Sequence, residues 1–341
     1  MVRRVFVVFL ILAAALAAGW LALRRSDIPY DSLEARYANE HSQFLTLQNG
    51  LIVHYRDEGD RDAPVIVLLH GFASSIHTWD EWAERLRQDY RIVRFDLPGH
   101  GLTRVTDETD LSTAGLVSFV NSVTSTLGLD EFVLVGSSMG GHTAWRYALE
   151  HQDQLKGLAL LAAAGLPEDA ENENTPLVFK LIQNPVTGPL MKDLDIKPLI
   201  RNGIEDSFFD QSFVTEEMID RYADLARGPG HRAALLSLAT RQDLRATQKA
   251  QQLKTLTVPT LIMFGDSDNL VPPSFGPRYV DLIDRSELIA YPNVGHLPQE
   301  EVAEQSVADF MAFLSGLDLD TMSESGASGE AVMQTEGVPL D

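Results

Sequence analysis

The chain has 341 residues, no cysteine and a formal net charge of -22. Such an acidic surface is repelled by phosphate backbones and sets nucleic acid aside as a partner, while the missing cysteines remove disulfides, thiolate nucleophiles, cysteine-held metals and a lipid-modified N-terminal cysteine. A hydrophobic content of 45% over this length supports a sizeable core, within reach of one large α/β unit that carries an insertion.

The first element is apolar on every face. Residues 5–23, VFVVFLILAAALAAGWLAL, carry no charge and are flanked by Arg3-Arg4 and Arg24-Arg25. As a helix they would rise ~28 Å, about the thickness of a bilayer's hydrocarbon core. The small-x-small run Ala15-Leu16-Ala17 would suit signal cleavage. The apolar run continues past it to Leu23, which favours an uncleaved anchor over residues 1–25. The amino terminus adds positive charge on its own side, so the expected orientation is N-terminus inside and body outside the cytoplasm, on the periplasmic side. Secretion after cleavage is the alternative.

Residues 26–41 are polar, contain Pro29 and lack a persistent apolar period, and read as a linker. A hairpin is expected next, Phe44–Leu47 and Leu51–Tyr55 around Asn49-Gly50. The run Val65–Leu69 reads as a strand buried on both faces. A helix near 79–88, a strand at 92–95, a helix near 112–127, a strand at 132–135, a helix near 139–150 and a strand at 158–162 complete a first core part, 42–166. This alternation predicts an α/β fold, a mostly parallel twisted sheet with helices on both faces. The rhythm breaks over 167–253, which has five early prolines and helical patches such as Thr215 to Ala226, so an all-helical cap is expected there. Its apolar residues, among them Leu177, Val178, Phe179, Leu181, Ile182, Leu190, Phe208, Phe209 and Phe213, are expected to serve mainly in docking. A second core part, 254–315, carries strands at 260–264 and 288–291 and helices near 275–284 and 299–314. From 316 to 341 the chain is Ser/Gly-rich and purely acidic, as a disordered tail would be.

The strand at 132–135 runs into GSSMGG, where Ser138 alone has glycine at both -2 and +2. A strand, Gly-x-Ser-x-Gly and a helix make a nucleophile elbow, in which tight backbone packing demands small neighbours. A serine hydroxyl needs a histidine to take its proton and a carboxylate to orient that histidine. Asp266 and Asp268 follow the strand at 260–264, and His296 follows the strand at 288–291. Serine, acid, histidine is the chain order of this arrangement. His54, His77, His151 and His231 have no partner motif, and His70 and His100 sit in backbone-shaping loops.

From about residue 42 to 314 the sequence resembles the α/β-hydrolase superfamily, in particular cap-bearing bacterial serine esterases and lipases and their relatives the C–C bond hydrolases. The matching motifs are HGFASS (70–75), DLPGHG (96–101), GSSMGG (136–141), GDSDNLVP (265–272) and NVGHLPQEE (293–301). The resemblance implies a triad of Ser138, Asp268 and His296. Asp268 is favoured over Asp266 because the acid lies three residues after the glycine that ends its strand. It also implies an oxyanion hole from the backbone N–H groups of Phe72 and Met139. The expected reaction is hydrolysis of a small-molecule carboxylic ester through an acyl-enzyme, with no metal and no organic cofactor. Ser138 at the elbow argues against the epoxide and haloalkane relatives, which use a carboxylate there. A C–C bond hydrolase of the meta-cleavage type is the alternative, although Ser137 stands where those enzymes usually have asparagine. Perhydrolase or acyltransferase activity uses the same triad, and a non-catalytic binding scaffold is the reading that an intact triad favours least.

Overall fold

In a computed structural model of the protein, the structure describes residues 2–167, 184, 187, 193–240 and 246–319. An eight-stranded sheet in the order β1-β2-β4-β3-β5-β6-β7-β8 forms its centre. The strands are β1 (Ser42–Thr46), β2 (Ile52–Glu58), β3 (Val65–Leu69), β4 (Arg91–Phe95), β5 (Phe132–Ser137), β6 (Leu155–Leu161), β7 (Thr260–Gly265) and β8 (Ser286–Tyr291). β2 runs antiparallel to both β1 and β4, and every other pairing is parallel. The expected hairpin turns at Gly50, whose φ of 81° suits glycine.

The period of two along the central strands divides the core in two. Val65, Val67 and Leu69 of β3 join Phe132 and Leu134 of β5 on one face, while Ile66, Leu68, Val133 and Val135 join the other. Helices α4 (Thr113–Thr126), α5 (Met139–His151) and α10 (Phe275–Leu282) cover the first face. Helices α3 (Asp80–Leu86) and α12 (Ala303–Ser315) cover the second, with Trp82 stacked on Phe310 at 5.0 Å. The helix expected near 299–314 is two pieces, α11 (Pro298–Glu301) and α12, because Val302 leaves helical geometry at φ -128°, ψ 46°.

Between β6 and β7 the described residues form helices and no named strand: α6 (Lys197–Ser207), α7 (Glu216–Leu225), α8 (His231–Thr240) and α9 (Ala246–Gln251). α7 is capped by Thr215, whose side chain accepts the Met218 N–H. These helices rest on loops at the C-terminal ends of the strands. Tyr222 OH meets Ser74 Oγ at 3.2 Å, and a Cβ on Gly99 would come within 2.5 Å of Ala234 Cβ. Phe208 docks against Ile204, Ile219, Tyr222 and Leu297, whereas Phe209 and Phe213 are exposed. Leu177, Val178, Phe179, Leu181, Ile182 and Leu190 lie outside the described residues, as does the expected tail from residue 320 onward.

Two expectations about the N-terminus change. Val2–Leu23 form one helix, α1, of 22 residues. Among the described residues, however, no helix is long and apolar enough to cross a membrane, so the expected span rests on the sequence. The expected linker is instead a strap. Residues 30–37 form α2 (Tyr30–Tyr37), and Leu33 is fully buried against Leu102 and Leu225. Arg25 N–H donates to Asp193 O and Ile28 N–H to Arg227 O, Asp27 pairs with Arg232 at 2.6 Å, and Tyr37 OH donates to Asp224. One buried side chain in eight gives no period to detect, yet tertiary contacts fix the helix.

Candidate active site

The elbow forms because backbone crowds it from both sides. A Cβ on Gly136 would stand 2.3 Å from Gly140 O, and a Cβ on Gly140 would stand 2.4 Å from Leu69 O. Between them Ser138 takes φ 54°, ψ -116°, a strained conformation for a residue with a side chain. Three main-chain bonds hold it there. Ser138 N–H donates to Leu161 O at 2.9 Å, and Ser138 O accepts from His142 N–H at 2.9 Å and Ala164 N–H at 3.1 Å. α5 begins at the next residue, so Met139 N–H belongs to the helix's unpaired first turn, at the end where partial positive charge gathers.

The loop after β3 lies against the serine. A Cβ on Gly71 would be 3.1 Å from Ser138 Cβ and 3.8 Å from its Oγ, so glycine lets this main chain approach. Phe72 is the next residue, and Ala73 has φ 55°. His70 fixes the turn. Leu97 N–H donates to its Nε2 at 2.9 Å, which leaves Nδ1–H to donate to Gly71 O at 2.8 Å. Burial lowers the His70 pKa, in keeping with a neutral ring.

His296 and Asp268 come together on the loops after β8 and β7. His296 Nδ1 lies 2.8 Å from Asp268 Oδ2, with both groups buried. Asp268 Oδ1 accepts from the N–H groups of Leu270 and Val271 at 2.8 and 2.9 Å. Donation of Nδ1–H to the carboxylate leaves Nε2 as the basic nitrogen. Asp266 meets different partners. Its Oδ1 accepts from Asn293 N–H and Ser267 Oγ–H at 2.8 Å each, which ties the two loops together. Gln299 Nε2 donates to Ser137 Oγ at 3.3 Å and to Thr78 Oγ1 at 3.0 Å, so the chain beyond His296 reaches the residue beside Ser138.

One His–Asp pair escapes sequence reasoning. His54 Nδ1 lies 2.7 Å from Asp96 Oδ2, and both side chains are fully buried. Burial alone would raise the Asp96 pKa, but the hydrogen bonds from His54 and from Leu102 N–H hold it well below the usual range. Asp96 also accepts from Ile76 N–H and Leu102 N–H. These bonds make it a brace for two loops. Only a pairing across 42 positions reveals it. Burial lowers His77 to about 4 and His100 to about 3, so neither is charged at neutral pH. Among the described residues no group of three or more His, Asp or Glu side chains is placed to hold a metal ion.

A family model described as the alpha/beta hydrolase fold matches residues 64–303. The chain is 29% identical over 291 residues to a 2-hydroxy-6-oxo-6-phenylhexa-2,4-dienoate hydrolase of Burkholderia cepacia, covering 80% of this chain and 96% of that protein. It is 28% identical over 285 residues to a bifunctional esterase/perhydrolase of Acinetobacter calcoaceticus, covering 80% of this chain and 99% of the relative. Its fold matches the crystal structure of a bacterial membrane phospholipase A with a TM-score of 0.69 at 24% identity, covering 92% of this chain and 98% of the other.

Proposed function

The chain belongs to the α/β-hydrolase fold family, and from that premise we propose that it is a serine hydrolase that cleaves carboxylic esters with Ser138, His296 and Asp268. The observation that carries this reading is the buried His296–Asp268 pair, with Nε2 left as base, on the same strand ends as the strained Ser138. Nε2 takes the Ser138 proton as Oγ attacks the ester carbonyl. The amides of Phe72 and Met139 stabilise the tetrahedral oxyanion, each such donor being worth about 100- to 1,000-fold in rate. His296 then protonates the leaving alcohol, and water releases the acyl group by the same route.

Cleavage of a C–C bond beside a ketone is the second reading, because relatives at 28–29% identity are named as dienoate and dienedioate hydrolases. Ser137, where the resemblance to those enzymes leads one to expect asparagine, is buried and accepts from Gln299. Perhydrolysis and acyl transfer need only a different acceptor for the acyl group. α1 is read as an uncleaved anchor with the body outside the cytoplasm, supported by its nineteen uncharged residues and by the exposure of Val5, Phe6, Leu10 and Ile11. Recovery of the full chain from carbonate-washed membranes checks this, and recovery in the soluble fraction refutes it.

The full chain in detergent and its Ser138→Ala variant should be assayed on p-nitrophenyl esters from acetate to palmitate. Turnover that vanishes in the variant is the expected result. No turnover by the folded parent, with cleavage of a vinylogous diketone, would replace the ester reading with the C–C one.

A further inference from the structure

Glu301 lies five positions after His296 and is buried, yet among the described residues the structure records no side chain donating to its carboxylate. Its partners are three backbone amides. Oε2 accepts from Gly295 N–H at 2.7 Å and Phe209 N–H at 3.3 Å, and Oε1 accepts from Asp210 N–H at 2.7 Å. Gly295 precedes His296 in the chain. Phe209 and Asp210 belong to the helical insertion, just after α6. One carboxylate therefore joins the histidine's loop to the cap.

Two further observations make this a built junction. His296 N–H itself donates to Ser207 O at 2.7 Å, so the histidine's own main chain is pinned to the same cap segment. A Cβ on Gly295 would fall 2.4 Å from Ser207 O and 2.9 Å from Phe209 N, so the two backbones touch with no room for a side chain. The neighbours of Glu301 extend the junction. Glu300 accepts from Thr78 and from Tyr222 of α7, and Gln299 reaches Ser137.

We propose that Glu301 is a positioning residue, which holds His296 in place by fastening Gly295 to Phe209 and Asp210, so that the histidine is fully aligned only when this cap segment is seated. The proposal rests on the reading of His296 as the base. Carboxylate chemistry suits the task, because two oxygens can serve three donors and offer none in return. A carboxamide keeps one accepting oxygen and turns an N–H pair towards a donor.

The test uses the full chain in detergent, with kcat expressed per site titrated by a fluorophosphonate, so that loss of folded protein does not enter. Glu301→Ala should lower kcat about 10- to 100-fold, the scale set by small misplacements of a catalytic group, with KM changed less than about 3-fold. Glu301→Gln should fall between parent and alanine. Asp210→Pro removes the cap-side donor at a distance from the chemistry, and it should lower kcat several-fold relative to Asp210→Ala, which keeps that N–H. Should Glu301→Ala fail to fold, Glu301→Gln and the Asp210 pair carry the test. Unchanged kcat per titrated site in Glu301→Gln and Asp210→Pro overturns the positioning role while the triad stands. Turnover that survives in Ser138→Ala or His296→Ala overturns the reading beneath it, and the proposal with it.

Discussion

Gly265 closes β7, three residues before Asp268, and a methyl group there tests how tightly the histidine's loop is set. A Cβ at this position would stand 2.2 Å from the carbonyl oxygens of both Val294 and Gly295. Its φ is not positive, so alanine meets no backbone penalty and the whole effect is steric. Both obstacles are main chain, tied to β7 by Asp266 N–H to Tyr291 O and Ser267 N–H to Val294 O, so neither can swing aside as a side chain would. Relief from 2.2 Å to an ordinary contact of 3.4 Å requires a displacement of about 1.2 Å in the segment that leads directly to His296. A shift near 1 Å costs about 100-fold in rate, and the overpacking costs about 1–3 kcal/mol in stability. Gly265→Ala should therefore lose about two decades of kcat/KM on its best p-nitrophenyl ester, with a melting point a few degrees lower. Gly157→Ala is the control. Its Cβ would press on Leu317 Cδ1 at 2.7 Å, a flexible side chain beyond α12, so it should touch stability alone. A folded Gly265→Ala protein within 3-fold of the parent's kcat/KM would refute this account of how His296 is placed.

Asp268→Asn should lower kcat about 10,000-fold by presenting the wrong tautomer of His296. Asp266→Asn, which keeps one accepting oxygen for the tie to Asn293 N–H, should stay within about 10-fold on the same ester assay, and a reversed ranking would reassign the acid. Burial raises the Glu300 carboxyl pKa, against the opposing hydrogen bonds from Thr78 and Tyr222 and the charge of Arg221. Stability linked to the protonated form is complete below the ordinary value of 4.5 and is lost as pH rises through the raised value. Glu300→Gln should thus melt with the parent at pH 4.5 and above it at pH 8, and parallel melting curves would contradict this. Leu33→Ala should cost about 2–5 kcal/mol of local stability and speed proteolysis within residues 26–41, whereas a solvated linker would not respond.

The strands were legible because β3, β5, β6 and β7 are buried along almost their whole length, which forces continuous apolar runs. The elbow was legible because Gly136 and Gly140 have no room for a Cβ, so the spacing of the glycines is itself a record of backbone contact. Asp266 and Asp268 could be told apart only by resemblance until their partners, the Asn293 amide and His296, were placed. The His54–Asp96 brace and the Glu301 junction left no local signal. Both join residues 42 or more than 90 positions apart, and the second works through amides that every residue carries. α2 was missed because its helix is stabilised by a single buried side chain, below what any periodicity can reveal.

The strap also imposes an order in time. Tyr30 bonds Pro229 and His231, and Asp27 bonds Arg232, partners 199 to 205 positions later in the chain. At about 5–20 residues per second of synthesis, the strap leaves the ribosome roughly 10–40 s before its partners do. β3 to β6 can pair within that interval, because their contacts close among residues 65–161. The strap, though made early, is thus among the last segments to settle, docking only after α7 and α8 have emerged.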